Sequence, residues 1–415
     1  MNLLPQRWVI LIVINAVYFS VYFHRISPAV LAPYLMETFS TTATSLGVMS
    51  SAYFYPYALG QPIVGMLTDR WGARKVVTLS TLIGFIGALL FGLAPSLFMA
   101  SMARGLIGLG AAGVFVPALK ILLPWFGPQA FAQMNAILLA VGNFAAIVGS
   151  TPYAWLLQEM GWRSSFYLIA GLTLLLAIFS LAYLRDQPPG LPSQKEERQQ
   201  TQPDPPKSDW KIFKTPFFWY MSILFFVYGG PFTTFQGLWG YSFLIDVHKY
   251  DKFQAGNLLM AIALGVILGG PLLVHYVGRS FPEKKRAMLS ICIAVQAFNW
   301  FCITFLGRSL GYFSLGLIFF LMGAVMAGTL SFFWAIVREV SPGEKLGTVL
   351  GFMNPAPFLG VAIFQPVTGF LMDRVGKIGG VFPFEAYQDA FALCLGAVLT
   401  AFIISLVANR AEKPV

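Results

Sequence analysis

Along this chain, long apolar stretches alternate with short polar breaks. The pattern is neither the period-two alternation of a half-buried strand nor the narrow stripe of a surface helix. Twelve stretches have the length that a helix needs to cross the hydrocarbon layer, about 20 residues. They lie near 8–36, 47–68, 75–94, 97–124, 131–157, 165–185, 216–245, 254–277, 287–307, 311–337, 347–372 and 387–408. The first follows a single Arg7, is too long for a signal-peptide core and lacks a small-residue cleavage site, so it counts as a span. The expected fold is an all-α integral membrane protein of twelve transmembrane helices.

Composition agrees and removes alternatives. Of 415 residues, 57% are hydrophobic and only 11% are charged, and mean hydropathy is +0.71. So few charges do not cover the surface of two or three soluble domains. A transmembrane barrel is excluded because the apolar runs far exceed the roughly ten alternating residues of a spanning strand. The three cysteines, Cys292, Cys302 and Cys394, lie inside apolar runs without metal-ligand spacing and read as packing residues. Neither a metal nor a cofactor is expected. No Ser/His/Asp set lies at one depth, and His24, His248 and His275 offer no paired catalytic geometry, which argues against an enzyme.

The formal net charge of +10 is explained by where the basic residues fall. With the N-terminus inside, 18 Lys and Arg occupy the inner segments and 6 the outer ones. Such a bias in short loops places both termini in the cytoplasm, on the inner (cytoplasmic) membrane of a cell. The positive charge is therefore a topological signal, and nucleic acid is not a partner. The longest inner segment, residues 186–214, is rich in proline and charge and almost free of apolar residues. It reads as a solvated linker between a six-helix unit at 1–185 and a second at 215–415.

The two units repeat weakly. Gly65-Met66-Leu67-Thr68-Asp69-Arg70-Trp71-Gly72-Ala73-Arg74-Lys75 closes the second span, and Pro271-Leu272-Leu273-Val274-His275-Tyr276-Val277-Gly278-Arg279 closes the eighth. Pro152 matches Pro366 and Glu159 matches Asp373, late in spans five and eleven. Tyr34-Leu35 at the end of span one likewise matches Phe243-Leu244 at the end of span seven. Membrane proteins duplicated this way hold a ligand between the halves and rock around it, which favours a transporter over a channel.

The Gly65-to-Lys75 stretch resembles the loop signature of the major facilitator superfamily. In that family glycines allow close helix contact and an Asp–Arg pair latches a cytoplasmic gate. The resemblance gives Gly65, Asp69, Arg70, Gly72 and Arg74 that gate role. Arg104-Gly105-Leu106-Ile107-Gly108-Leu109-Gly110 resembles the family's span-four motif, and Gly161-Trp162-Arg163-Ser164-Ser165-Phe166 is similar to a stretch common in its organic-anion branches. The Gly-Pro pair of the drug-exporter motif is missing from 141–151. The resemblance covers the whole chain and implies two pseudo-symmetric six-helix bundles.

Charges inside the spans point to the cargo. All 17 carboxylates fall in loops or at helix ends, whereas Arg25 lies deep in span one with His24 beside it, and Lys120 lies in span four. A charge in hydrocarbon costs at least a few kcal/mol unless it is paired or wetted, so an anionic substrate is the simplest partner for Arg25. Tyr18, Tyr22 and Arg25 follow spacings of four and three and share one helix face. Pro28 and Pro33 loosen the backbone just beyond them. A guanidinium grips a carboxylate bidentately, and phenol hydroxyls complete the contact.

Span one also resembles that of the anion:cation symporters and the phosphate-ester antiporters, where an arginine in the same helix holds the anion. That role falls on Arg25. Many sugar-acid symporters place Asp before this Arg for proton coupling; here His24 stands there, either as a coupling group or as a structural hydrogen bonder. Lys120 either snorkels to water along its stem or assists Arg25. Gln236 and Trp239, in the bendable Tyr228-to-Tyr241 segment of span seven, form a candidate second wall. Asn143, Asn354 and Trp334 are further candidates, and the stripe Tyr53, Tyr57, Gln61 either lines the cavity or, the preferred reading, packs.

The expectation is a secondary carrier of a small organic anion, working as a monomer by alternating access. With no mid-membrane carboxylate, exchange or uniport gains over symport; a proton or a counter-anion is the candidate co-substrate. The rivals are an efflux carrier for drugs or amphiphiles and a substrate sensor that kept the carrier fold.

Overall fold

A computed structural model describes the backbone of residues 3–189, 215–280, 282–341 and 346–411. Of the expected linker only residues 186–189 are described, and the rest lies outside them. The described residues are almost wholly helical, apart from one isolated bridge between Ile378 and Val381.

The twelve expected spans are all present, and their interruptions are physical. Span one runs Leu3–Ile26 and continues as Pro28–Thr38, with Ser27 at the joint. Span two is Ala43–Ser51 followed by Phe54–Trp71, and span three is Ala73–Leu93. Spans four, five and six are drawn from three helices, Leu97–Ala112, Phe115–Val148 and Thr151–Tyr183. The last two of these each contain a chain reversal at a left-handed glycine, Gly127 (φ 74°) and Gly161 (φ 75°). Only glycine adopts that conformation without steric cost, so both turns are written into the sequence.

In the second half, span seven comprises Pro216–Thr234, a π-turn at Phe235–Trp239 and Gly240–His248. Span eight is Lys252–Leu264, a π-turn at Gly265–Gly269 and Gly270–Ser280. Span nine is Lys285–Phe301 with a π-turn at Cys302–Leu306, and span ten is Tyr312–Val340. Span eleven is Leu346–Met353 with Ala356–Val375, and span twelve is Phe384–Ala411. Helix starts are capped where sequence permits. Thr42 accepts from Ser45 N, Ser96 from Met99 N, and Asp251 with Gln254 forms a capping box.

An even number of spans puts both chain ends on one face of the bundle, here called the terminal face. Within each half the helices approach through small residues, as expected where lipid supplies no hydrophobic drive between helices. A methyl group at Gly108 of span four would collide with the Tyr53 main chain of span two, and one at Gly323 of span ten with the Ile262 carbonyl of span eight. The seam between the halves is closest on the face opposite the chain ends. There Gly256 of span eight lies against Thr151, whose hydroxyl bonds Asn257 at 2.8 Å, and Lys252 stands 4.9 Å from the Tyr34 ring.

Gly108→Val should destabilise the protein by about 1–3 kcal/mol through overpacking. Gly171→Val, at a lipid-facing site with open space around it, should leave stability unchanged. Thermal unfolding of the detergent-solubilised variants reads the difference.

Candidate functional site

Span one delivers Arg25 to the seam between the halves. Its side chain is buried, at 8% exposure, just before the joint at Ser27. Three rings enclose the guanidinium: Tyr22 and Tyr57 at 5.0 Å and Phe358 at 4.9 Å from the guanidinium carbon to the ring centroids. Tyr22 comes from span one, Tyr57 from span two and Phe358 from span eleven, so both halves build the cage. Tyr57 and Phe358 touch edge to face at 4.7 Å. Such contacts contribute about 0.5–2 kcal/mol each to a cation, but they supply no hydrogen-bond acceptor. The Nε and Nη2 atoms of Arg25 are buried and have no hydrogen-bond partner among the described residues.

One helical turn toward the terminal face, Asn354 of span eleven donates to Gln61 Oε1 of span two at 2.8 Å. The pair closes the floor of the cage, joining the halves as Tyr57 and Phe358 do above it. Tyr18 and Tyr22 pack beside Arg25 against Gly142 of span five, where a Cβ would meet the Tyr18 ring at 2.6 Å. On the seventh span the π-turn approaches the same place: a Cβ on Gly237 would lie 3.4 Å from the Arg25 carbonyl oxygen. Gln236, in that turn, is buried.

Several expected residues go elsewhere. Lys120 does not stand with Arg25; its ammonium pairs with Asp69, and both side chains are a third or more exposed. Lys120 lies within two turns of its helix's terminal-face end, where its four-carbon stem reaches the carboxylate at the end of span two. Trp239 donates Nε1 to Thr368 at 2.8 Å inside its own half, and Trp334 packs on Phe225 and Phe333. Asn143 donates to the Leu139 carbonyl of its own helix at 2.9 Å.

His24 and Arg25 are neighbours in sequence but lie about 100° apart around the helix, and they face different surroundings. His24 borders a small cavity inside the first half, lined also by Ser20, Ser80, Thr81 and Thr173. Neither ring nitrogen has a hydrogen-bond partner among the described residues. Its carbonyl accepts from Arg104 Nη1 at 2.7 Å, and Arg104, 1% exposed, lies 4.9 Å from the Tyr53 ring.

In the loop after span two, Gly72 (φ 89°) leaves room for the Asp186 carboxylate, which accepts from Arg74 N at 2.6 Å. The Arg74 guanidinium donates to the Leu181 carbonyl, tying the loop to the end of span six. Arg70 is exposed, and a Cβ on Gly65 would have nothing within 4 Å.

Sequence reading missed the cage partners Tyr57 and Phe358 and the depth of Arg104. The Tyr53–Tyr57–Gln61 stripe was visible, yet only the fold reveals that its last two members meet span eleven.

A model of the Major Facilitator Superfamily matches residues 11–356. Full-length relatives include the "Uncharacterized transporter YybO" of Bacillus subtilis, 27% identical over 96% of this chain and 94% of that protein. The "Probable sulfoacetate transporter SauU" of Cupriavidus necator is 25% identical, covering 97% and 95% of the two chains. The "Hexuronate transporter" of Bacillus subtilis is 24% identical, covering 95% of each. A crystal structure of a D-xylose-proton symporter superposes with a TM-score of 0.76 over 97% of both chains at 10% identity. An inward-facing, occupied bacterial homologue of human lysosomal Spinster gives 0.73 over 98% of both at 19%. The chain belongs to the major facilitator superfamily and is a multi-pass membrane transporter of a small-molecule substrate.

If the Lys120–Asp69 pair is a loop contact, Lys120→Gln and Asp69→Asn should each have small effects on thermal stability. Their double-mutant cycle should return a coupling of about 1 kcal/mol or less.

Proposed function

We propose that this member of the major facilitator superfamily carries a small organic anion, a carboxylate by preference, across the cytoplasmic membrane by alternating access. The observation that carries the reading is Arg25: a buried guanidinium at the seam, ringed by aromatic faces from both halves, with two nitrogens lacking an acceptor. A carboxylate entering the cage would take those nitrogens in the forked geometry that arginine favours. It would also cancel a charge that is expensive in this medium.

The phenols of Tyr18, Tyr22, Tyr53 and Tyr57, with Gln236, are the polar groups that would complete the contact. Asn354 and Gln61 floor the site and are freed for substrate when their mutual bond opens. Asn143, Trp334 and Trp239 shape the surrounding wall. The two relatives named for sulfoacetate and for hexuronate support the class, since both printed substrates are organic acids.

The rocking bodies are residues 1–185 and 215–415, joined through 186–214, and the terminal face is the cytoplasmic one, as the basic-residue bias indicates. One copy of the chain contains the whole site, so a monomer suffices. His24 is set apart from Arg25 and faces the interior of the first half, where its carbonyl accepts from Arg104. Exchange or uniport therefore fits better than proton symport through His24.

Arg25→Lys keeps the charge but loses the fork. Uptake of the anion in proteoliposomes should fall by about 10- to 100-fold, the equivalent of one charge-assisted hydrogen bond, with expression retained. Normal uptake by Arg25→Ala would falsify the assignment. Thermal-shift screening of the purified protein should show stabilisation by mono- or dicarboxylates or sugar acids, and lipophilic cations should give none.

A further inference from the structure

The superfamily's loop signature occurs a second time, on the other side of the membrane. Gln61-Pro62-Ile63-Val64-Gly65-Met66-Leu67-Thr68-Asp69-Arg70-Trp71-Gly72 closes span two on the terminal face. Gln365-Pro366-Val367-Thr368-Gly369-Phe370-Leu371-Met372-Asp373-Arg374-Val375-Gly376 closes span eleven on the opposite face. Gln, Pro, Gly, Leu, Asp, Arg and Gly recur at the same seven of twelve positions. Both copies end on a left-handed glycine, Gly72 at φ 89° and Gly376 at φ 81°.

The span-eleven copy bridges the two halves. In the span-eleven copy, Asp373 reaches across the seam to the first turn of span two. Its Oδ1 accepts from Ala43 N at 2.8 Å, and its Oδ2 accepts from Thr44 N at 2.7 Å and from the Thr44 hydroxyl at 2.5 Å. A carboxylate on the exposed amides of a helix start also meets the positive end of the helix dipole. Around it the backbones touch: a Cβ on Gly369 would strike the Ala43 main chain, and one on Gly47 the Gln365 and Pro366 main chain. In the span-two copy, Gly65 has open space and Asp69 pairs with Lys120 of its own half.

The contacts along this seam keep one register. From Ala43–Asp373 through Gly47–Gln365, Tyr57–Phe358 and Gln61–Asn354, each step down span two is matched by a step up span eleven.

We infer that Asp373, with Gly369 and Gly47, is a second latch of the same make as the loop signature, that it holds the opposite face shut, and that it must release in every cycle. The inference rests on the alternating-access reading but not on the identity of the cargo. The structure shows the state in which this latch is engaged.

The test is a distance measurement on the full-length protein in lipid nanodiscs without substrate. Spin labels replace Glu37 and Ile378, both exposed on the opposite face, in a background with the three native cysteines changed to serine or alanine. Asp373→Asn should raise the population of the longer, open-face distance by roughly tenfold or more, since charge-assisted bonds are lost. Gly369→Val, which touches no charge, should shift the distribution the same way by wedging the seam. Glu159→Gln, at the corresponding end of span five, should give the unmodified distribution.

An unmodified distribution in Asp373→Asn overturns the inference whatever Gly369→Val does. Should Asp373→Asn fail to yield folded protein, Thr44→Val removes one of the three bonds, and an unmodified distribution there overturns it equally. Failure of Arg25→Lys to affect uptake would leave this result untouched, so the two proposals fall separately.

Discussion

A guanidinium sits in the middle of a membrane protein that has no carboxylate at that depth, and the architecture around it follows from that imbalance. An unpaired cation in hydrocarbon costs several kcal/mol. Three ring faces reduce the cost without removing it, because quadrupoles do not satisfy N–H donors. A protein built only for stability would place an acid beside Arg25 or a leucine in its stead. What it has is a cage whose walls come from spans one, two and eleven, so the cage exists only while the halves are together. On the proposed function, recognition of a negative charge and closure of the seam would be the same structural event.

Glycine placement sets how the halves meet. At Gly47, Gly256 and Gly369 the opposing backbones lie so close that a methyl group would collide with main-chain atoms. In the second half, spans seven, eight and nine each contain a π-turn. The span-seven turn lies against the Arg25 backbone, and a π-turn is a common mark of a helix that must bend at a functional site.

The span pattern was legible because apolar length and left-handed glycines are local properties. Gly127 and Gly161 end their helices whatever else the chain does. Arg25 was legible because a cation is conspicuous against an apolar background. Its surroundings were not: Phe358 lies 333 positions away in the chain, and its approach to Tyr57 depends on the packing of two halves. Lys120 was half readable, since its nearness to a helix end was visible but its choice of Asp69 was not. The π-turns left no mark in the periodicity, because each shifts the helix phase by only one residue.

The same imbalance bears on how the carrier cycles. With a carboxylate in the cage, Arg25 is neutralised and the halves close over a pair; without one, the seam must re-form around a bare charge. On the proposed function, the loaded protein would change state at lower electrostatic cost than the empty one. Cation–π contacts moderate the difference, so the empty return is slowed rather than forbidden. A proton carrier near the cage would let an empty protein adjust its own charge. The one imidazole beside Arg25 in sequence instead faces the interior of the first half, near a second buried guanidinium. On this reading the return step of lowest electrostatic cost carries a second anion, which favours exchange.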